Sequence, residues 1–335
     1  MPHKNDNQLL EELTSTILNK QSSNQQLTEA LDNFLLLCSH ASPILPSLSF
    51  NAHAGDTELK QGVAINPEAA AQCVKDYQRT VAFIRGLYAA IQSKLEVKPE
   101  QTIRLLYAGC GPYAAILLPL LSILDTTHLD VHLLDIHEES LLSAQQLIIH
   151  FGFEDITIRY HCENACEFSQ SIDFDIILTE TMQKALEQEP QVIVTSNLGS
   201  QLKPQGIFLP EQIDITLCLR DKKSHAALFP VRNIFKLTAS LECINPIQQT
   251  LHCDEVKVSL GTVVIPEQFN PLNNELVLST SINIYNDIHL YENDSEITLT
   301  TQAYDLQGAN AGEHWLVSYH LGSYPRIGFN LKNIQ

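Results

Sequence analysis

The sequence lacks positive charge. It has 20 Lys and Arg residues against 39 Asp and Glu residues, which gives a formal net charge of −19 at pH 7. A protein that binds the phosphate backbone of nucleic acid needs a basic excess that releases counterions. The composition therefore argues against a nucleic-acid partner, and it suits a cationic substrate, either a small molecule or a peptide.

Closely paired cysteines are also missing. None of the eight cysteines belongs to a C-x-x-C pair, and the closest two are Cys162 and Cys166. Zinc sites need ligands at characteristic short spacings. We therefore predict no metal site, and we expect buried thiols in a reducing compartment.

The sequence has no long apolar run. No basic segment followed by an apolar core opens the chain, and no run approaches the length of a membrane-spanning helix. We therefore expect a soluble, cytoplasmic protein that has no membrane partner.

One stretch predicts a nucleotide-binding unit. Residues 103–107 form an apolar run of strand length, the turn A-G-C-G-P over residues 108–112 follows, and residues 114–123 and 129–134 predict a helix and a second strand. A strand, a glycine turn, a helix and a strand that ends in an acid are typical of βαβ units that bind nucleotide-like ligands. Ala108, Gly109 and Gly111 would leave the main chain open to the ligand, and Asp135 would accept hydrogen bonds from ribose hydroxyls.

This turn does not suit a dinucleotide. A pyrophosphate-binding turn has another glycine three residues after Gly111, where this sequence has Ala114. The match is better for a ligand without a pyrophosphate, such as S-adenosylmethionine, and the turn with its acid resembles class I methyltransferases that use this methyl donor. The alternative is an ordinary βαβ crossover whose glycines only form a turn.

The rest of the chain divides into three predicted segments. Residues 1–52 contain two amphipathic helices, at 8–18 and 27–38, and form a helical N-terminal extension. Residues 53–210 alternate helices and strands and predict a Rossmann-like α/β domain that binds S-adenosylmethionine. Beyond Pro210, short alternating runs predict an all-β sandwich or barrel over residues 211–335. The predicted fold class is α/β plus all-β.

Several individual elements are predicted within these segments. We expect one helix from Asn66 through residue 88, and Glu163 and Asn164 follow the third predicted strand, where an adenine ring would lie. In the β domain we expect strands at 213–219, 255–264, 275–285, 296–303 and 314–320.

Four features in sequence order make the chain from about residue 55 resemble the protein arginine methyltransferases. Residues 76–80, D-Y-Q-R-T, are similar to the family's D-x-x-R-T, and the glycine turn with Asp135 is the second feature. Glu180 and Glu189 have the spacing of the family's double-glutamate loop, and L-K-P-Q-G-I-F-L-P after them resembles its L-x-P-x-G-x-x-x-P. The fourth feature is E-H-W at residues 313–315, which is close to the family's Thr-His-Trp loop.

The resemblance implies roles for specific residues. Arg79 would bind the carboxylate of the methionine part of the donor. Asp76 and His314 would meet across the two domains and accept the departing proton, a role for which histidine is suited because its pKa lies near neutrality. Family members often dimerise through an arm of the β domain, and residues 220–254 are where an arm would lie in a homodimer.

The two glutamates can also be assigned from chemistry. Methyl transfer from a sulfonium is an in-line displacement that needs positioning and electrostatic stabilisation. Two carboxylates, Glu180 and Glu189, can hold a protonated guanidinium or another cationic nitrogen and orient it. The alternative is that Glu180 only ends a strand and Glu189 only begins a helix. We predict an S-adenosylmethionine-dependent N-methyltransferase of the arginine-methyltransferase type.

Departures from the family pattern concern the substrate. Tyr107 replaces the family's acid in the first strand, Tyr113 its third glycine, and Thr181 and Gln183 a tryptophan and a glycine of the double-glutamate loop. Two alternatives therefore stay open. The first is a small-molecule methyltransferase of the same architecture, and the second is a catalytically inactive binding protein.

Overall fold

The computed structural model describes residues 4–46, 54–97, 100–240 and 256–331. A five-stranded parallel sheet has the order β5–β4–β3–β6–β7. Its strands are β3 (Ile103–Ala108), β4 (Leu129–Asp135), β5 (Thr157–Cys162), β6 (Phe174–Thr179) and β7 (Leu202–Leu209). The strand order reverses between β3 and β6, which is where ligands bind in open α/β sheets.

The helices pack around this sheet. Helices α4 (Tyr77–Val97) and α7 (Gln191–Gly199) contact β6 and β7, and α6 (Glu138–His150) contacts β4 and β5. The N-terminal helices α1 (Lys4–Leu18) and α2 (Asn24–Ala41) pack on each other and on α4. No helix in the described residues is long and apolar enough to span a membrane.

The strands become antiparallel after Leu209. One sheet has the order β12–β11–β8–β9 with β13 also paired to β11, and the other has the order β10–β14–β15. The α/β-plus-β fold predicted from the sequence is therefore confirmed. These strands are β8 (Gln212–Asp221), β9 (Ala227–Leu237), β10 (Val256–Val264), β11 (Asn274–Tyr285), β12 (Ile288–Leu290), β13 (Thr301–Asp305), β14 (His314–Leu321) and β15 (Arg326–Leu331).

The sequence did not predict β9, which lies where we expected a dimerisation arm. The strand contains Pro230, and its pairing with β8 shifts register at three places. Proline and bulges interrupt the alternating pattern that marks a strand in a sequence. Residues 241–254 of the expected arm, and the expected boundary between residues 52 and 53, lie outside the described residues.

The prediction of a single helix from Asn66 to residue 88 is wrong. The chain forms α3 (Pro67–Gln72) and a 3-10 turn at Cys73–Lys75, and α4 begins only after Asp76. Asp76 has a ψ angle of 79° and accepts a hydrogen bond from the backbone N–H of Arg79 at 3.3 Å. Asp76 therefore acts as an N-cap, which orients the start of α4 independently of α3.

The helix expected at residues 114–123 is much shorter. Only α5 (Leu118–Leu121) is regular, and Ala114 has a left-handed φ of 42°. Pro119 has no N–H for the helical ladder, so the segment forms irregular turns. The strand expected at residues 296–303 is also interrupted, because Glu296–Thr298 forms a 3-10 turn before β13.

A small hairpin precedes α3. It consists of β1 (Thr57–Leu59) and β2 (Gly62–Ala64), which pair in antiparallel register. It was not predicted, because a strand of only three residues is too short to show an alternating pattern.

The β domain is joined closely to α4. A Cβ atom added to Gly86 in α4 would lie 2.5 Å from Cγ2 of Ile284 in β11. At the start of α4, the Asp76 carboxylate accepts a hydrogen bond of 2.8 Å from the backbone N–H of Glu296. The helix that carries Arg79 is thus fixed to the β domain at both places.

Gly86→Ala is expected to destabilise the protein by about 1–2 kcal/mol, because overpacking outweighs the better helix propensity of alanine. Urea unfolding of the variant would measure this loss. In an Ile284→Ala background the same substitution should be neutral or stabilising. A stabilising effect of Gly86→Ala in the native background would contradict the close approach.

Candidate functional site

A cavity lies at the carboxyl ends of β3, β4 and β6. The glycine turn after β3 forms one wall, and Gly109 and Gly111 have left-handed φ angles of 72° and 61°. A Cβ atom on Gly109 would lie 2.8 Å from the carbonyl oxygen of Glu180, so only glycine fits there. Ala108 ends β3 and accepts a hydrogen bond from the backbone N–H of Glu180 at 3.0 Å.

The remaining walls come from several other segments of the chain: the β1–β2 hairpin, α3, the 3-10 turn at Cys73–Lys75, α4, the end of β4, the start of α6, the loop after β5, the loop after β6, and α7. The whole lining includes Leu59, Val63, Cys73, Arg79, Cys110, Asp135, His137, Ser140, Glu163, Asn164, Glu180, Thr181 and Glu189. The cavity thus contains most of the residues that the sequence predicted for donor binding and for the acceptor.

Asp135 is held in one orientation at the end of β4. One carboxylate oxygen accepts a hydrogen bond from the N–H of Gly111 and the other from the N–H of His137, both at 2.9 Å. The His137 ring also lies close, with Nδ1 3.4 Å from Asp135 Oδ1. The hydrogen bond with Asp135 raises the pKa of His137, although burial of the ring opposes it. Asp135 is therefore fixed before any ligand arrives and keeps lone pairs for hydroxyl groups.

Glu163 and Asn164 line the cavity beside Asp135. The backbone N–H of Glu163 donates to the carbonyl of Asp135 at 3.1 Å, and Asn164 Oδ1 accepts from the N–H of Cys166 at 2.9 Å. These bonds hold the loop after β5 against the end of β4.

Arg79 and Glu180 form a buried ion pair. The distance from Arg79 Nη2 to Glu180 Oε1 is 2.6 Å, and the second carboxylate oxygen accepts a hydrogen bond of 2.9 Å from the Tyr107 hydroxyl. Burial disfavours the charged guanidinium, but Glu180 and the other nearby acids keep the pKa of Arg79 above its ordinary value. Within the described residues, Arg79 Nε is buried without a hydrogen-bond partner. The Arg79 side chain lines the cavity, and a buried N–H without a partner in these residues suits an anionic ligand group.

Glu189 is the second glutamate of the loop after β6, and it is 7 % exposed. Burial raises the pKa of Glu189 to about 7; Arg79 lowers it and Glu180 raises it further. Glu189 therefore keeps its proton to a higher pH than an ordinary glutamate does. The nearby Gln183 stabilises the ionised form through a side-chain hydrogen bond.

The loop between Glu180 and Glu189 has an unusual backbone. Ala185, Leu186 and Gln188 all have left-handed φ angles, of 55°, 56° and 66°. Non-glycine residues adopt this conformation only where surrounding contacts impose it.

The β domain supplies those contacts. Thr280 Oγ1 accepts from the N–H of Ala185 at 3.0 Å, the hydroxyl of Tyr319 donates to the carbonyl of Leu186 at 2.5 Å, and the carbonyl of Pro325 accepts from the N–H of Gln188 at 2.9 Å. The sequence did not reveal these residues, because they bind backbone groups and no motif contains them.

The structure does not bring Asp76 and His314 together. Both carboxylate oxygens of Asp76 accept backbone N–H groups, from Arg79 and Glu296, and neither Asp76 nor His314 lines the cavity. His314 is exposed at the start of β14, opposite Val264 of β10, and no hydrogen bond or ion pair between it and Asp76 occurs in the part of the chain described. The loop that meets Asp76 is Ser295–Thr298, so the expected proton-accepting pair is not formed.

The E-H-W motif has a packing role instead. Trp315 is 4 % exposed, and its ring makes an edge contact with Tyr304 at 4.3 Å between ring centres.

Potential metal ligands do not form a cluster: the residues described contain no group of three or more His, Cys, Asp or Glu side chains that could hold an ion.

Glu189→Gln is expected to stabilise the protein more at pH 8 than at pH 5. The folded state holds a proton on Glu189 up to about pH 7, whereas the unfolded state releases it near the ordinary value of 4.5, so wild-type stability falls as the pH rises through this window. The extra gain at pH 8 should be up to about 3 kcal/mol. Urea unfolding of both proteins at the two pH values measures it, and equal gains would contradict the buried position of the carboxyl.

Comparisons with known proteins give structural matches only. No protein-family model matches the chain, and neither does any curated protein. The Trypanosoma brucei PRMT1 enzyme–prozyme heterotetrameric complex with AdoHcy matches with a TM-score of 0.49 and 12 % identity, covering 78 % of this chain and 92 % of that chain. Protein Arginine Methyltransferase 10 of Arabidopsis thaliana matches with a TM-score of 0.49 and 10 % identity, covering 74 % and 85 %.

Proposed function

We propose that this protein transfers a methyl group from S-adenosylmethionine to a nitrogen atom. The observation that carries the proposal is that the glycine turn, Asp135, Arg79, Glu180 and Glu189 all line the same cavity. A site that binds a nucleoside and also buries two carboxyls has a place for a donor and a place for a nitrogen acceptor.

The donor assignment rests on chemical fit. Asp135 is oriented to accept ribose hydroxyls, and Gly111 leaves the main chain open, since only the Ala70 side chain lies within 4 Å of an added Cβ atom. Arg79 has a buried Nε without a partner in the described residues, and this N–H suits the carboxylate of the methionine part. Glu163 and Asn164 are placed for the adenine ring. We assign residues 53–210 to donor binding and residues 211–335 to the support of the acceptor site.

The chain's own residues then have three tasks. S-adenosylmethionine supplies an electrophilic methyl group when it is bound. Glu180 and Glu189 hold the acceptor nitrogen and orient its lone pair. Because Asp76 and His314 are separated, Glu189 is the group that takes the proton from the nitrogen, and a pKa of about 7 suits a general base at neutral pH.

A cationic acceptor, such as a guanidinium in a peptide, is our first assignment. The strongly acidic composition and the carboxyls of Glu180 and Glu189 in the cavity support it. A small neutral acceptor is the second candidate, and one observation favours it. Both oxygens of Glu180 already bind protein groups, Arg79 and Tyr107, so less of its charge is free for a cation.

Asp135→Ala is expected to weaken binding of S-adenosylhomocysteine by about 1–3 kcal/mol, because the ribose hydroxyls lose their acceptor. Calorimetry measures the change. Asp125→Ala removes a carboxylate of a 3-10 turn outside the cavity and serves as the matched control. Unchanged affinity for the Asp135 variant would refute the ribose assignment, and a wild-type protein that does not bind S-adenosylhomocysteine would refute the proposed function.

Glu180→Gln is expected to lose the chemical step with a cationic acceptor, because the amide keeps the shape and removes the charge. The variant also leaves the buried charge of Arg79 unpaired, so its stability and its affinity for S-adenosylhomocysteine are measured alongside. Glu189→Gln should act in the same direction, since it also removes the base. Single-turnover transfer of a labelled methyl group to arginine peptides and to a mixture of cell metabolites measures both variants. Turnover that survives in the Glu180 variant on an uncharged metabolite would select the neutral acceptor. If the wild-type protein binds the donor but transfers the methyl group to no acceptor, the non-catalytic alternative is correct.

A further inference from the structure

The β1–β2 hairpin covers the cavity but has little stability of its own. Leu59, Val63 and Ala64 of the hairpin line the cavity, and Ile65 follows them. Only three residue pairs join the two strands. An isolated two-stranded hairpin is marginal in water, so its position depends on contacts with the rest of the protein.

Within the described residues, three hydrogen bonds join the hairpin to three other segments of the chain. Thr57 Oγ1 lies 3.0 Å from His137 Nε2, Gln61 Nε2 donates to Glu167 at 3.1 Å, and Val63 N–H donates to the carbonyl of Gln188 at 2.8 Å. The Gln61 bond is exposed to solvent, whereas the Thr57 bond is partly buried and the Val63 bond uses the backbone. Of the two side chains in these bonds, Thr57 is therefore the one whose removal weakens the cover more.

His137 connects this cover to the donor site. Its Nε2 faces Thr57 while its Nδ1 faces the carboxylate of Asp135. A protonated ring donates to both groups. A neutral ring can donate from Nδ1 to Asp135 and accept the Thr57 hydroxyl at Nε2, so the connection exists in either protonation state.

We propose that His137 is a positioning residue that fixes Asp135 and, through Thr57, latches the β1–β2 hairpin over the methyl-donor cavity. Donor exchange then requires this latch to open. The part of the proposal that concerns the donor rests on the proposed function, whereas the latch itself is a property of the donor-free protein.

Two cysteines of the cavity report on the latch without any ligand. Cys73 and Cys110 line the cavity, and burial raises the pKa of both thiols, so they react slowly while the cavity is covered. Cys38 in α2 is buried outside the cavity and reports on unfolding of the whole protein.

The first experiment labels the donor-free protein with iodoacetamide and follows each cysteine by peptide mass spectrometry. Thr57→Val should raise the labelling rate at Cys110 and Cys73 by between about twofold and tenfold, the effect of one lost hydrogen bond. His137→Leu should raise it by at least as much, because it loses the contact with Asp135 as well as the bond to Thr57. Labelling at Cys38 should not change. Thr57→Ser keeps the hydroxyl and should label like the wild type.

The double variant separates a latch from general loosening. Because Thr57 and His137 act through one shared bond, the double variant should label no faster than the faster of the two single variants. Any of three results would overturn the latch. The effects of the two substitutions on the labelling rate multiply in the double variant, the labelling rate at Cys38 rises in parallel, or both single variants label Cys110 at the wild-type rate.

The second experiment measures association and dissociation of S-adenosylhomocysteine. Thr57→Val should raise both rate constants by a similar factor, because Thr57 does not line the cavity and acts only on access. Faster dissociation without faster association would show a direct donor contact and overturn the role in access. If the wild-type protein does not bind S-adenosylhomocysteine, the proposed function fails, and the thiol labelling alone still decides whether the latch exists.

Discussion

The ion pair between Arg79 and Glu180 is the interaction on which the arrangement of the site depends. It joins the start of α4 to the end of β6, and both side chains are almost fully buried. Removal of one partner would leave an uncompensated charge in the interior, which typically costs 3–5 kcal/mol in proteins. The N-cap at Asp76 orients the start of α4 that carries Arg79, and the hydroxyl of Tyr107 satisfies the second carboxylate oxygen of Glu180.

The charge balance of the cavity follows from this pair. Arg79 neutralises Glu180, so Glu189 has no cation of its own and stays partly protonated. The two glutamates of one motif therefore differ in chemistry: Glu180 is held in an ion pair with Arg79, and Glu189 can gain or lose a proton. Burial is common to both side chains, so the ion pair with Arg79 creates the difference.

The sequence predicted the parts of the fold that depend on side-chain patterns. Apolar strands, the glycine turn and Asp135 were recognisable because each requires particular residue types at particular positions. The contacts of Ala185, Leu186 and Gln188 could not be recognised in the sequence, since their partners bind backbone atoms that every residue possesses. The same reason explains the false expectation for His314: Asp76 binds the backbone N–H of Glu296, and no side-chain motif marks such a partner. The break of the long helix at Asp76 was hidden because the apolar stripe continues on both sides of it.

The contact between Gly86 and Ile284 bears on how the molecule can move. Helix α4 lies against β11 with no room for a single methyl group, and its first residues are bound to the turn at Glu296. Hinge-bending between the α/β and β domains would have to break this contact and expose the apolar surfaces of both α4 and β11. The domains therefore behave as one rigid frame around the cavity. Motions that admit ligands therefore fall to elements with few contacts.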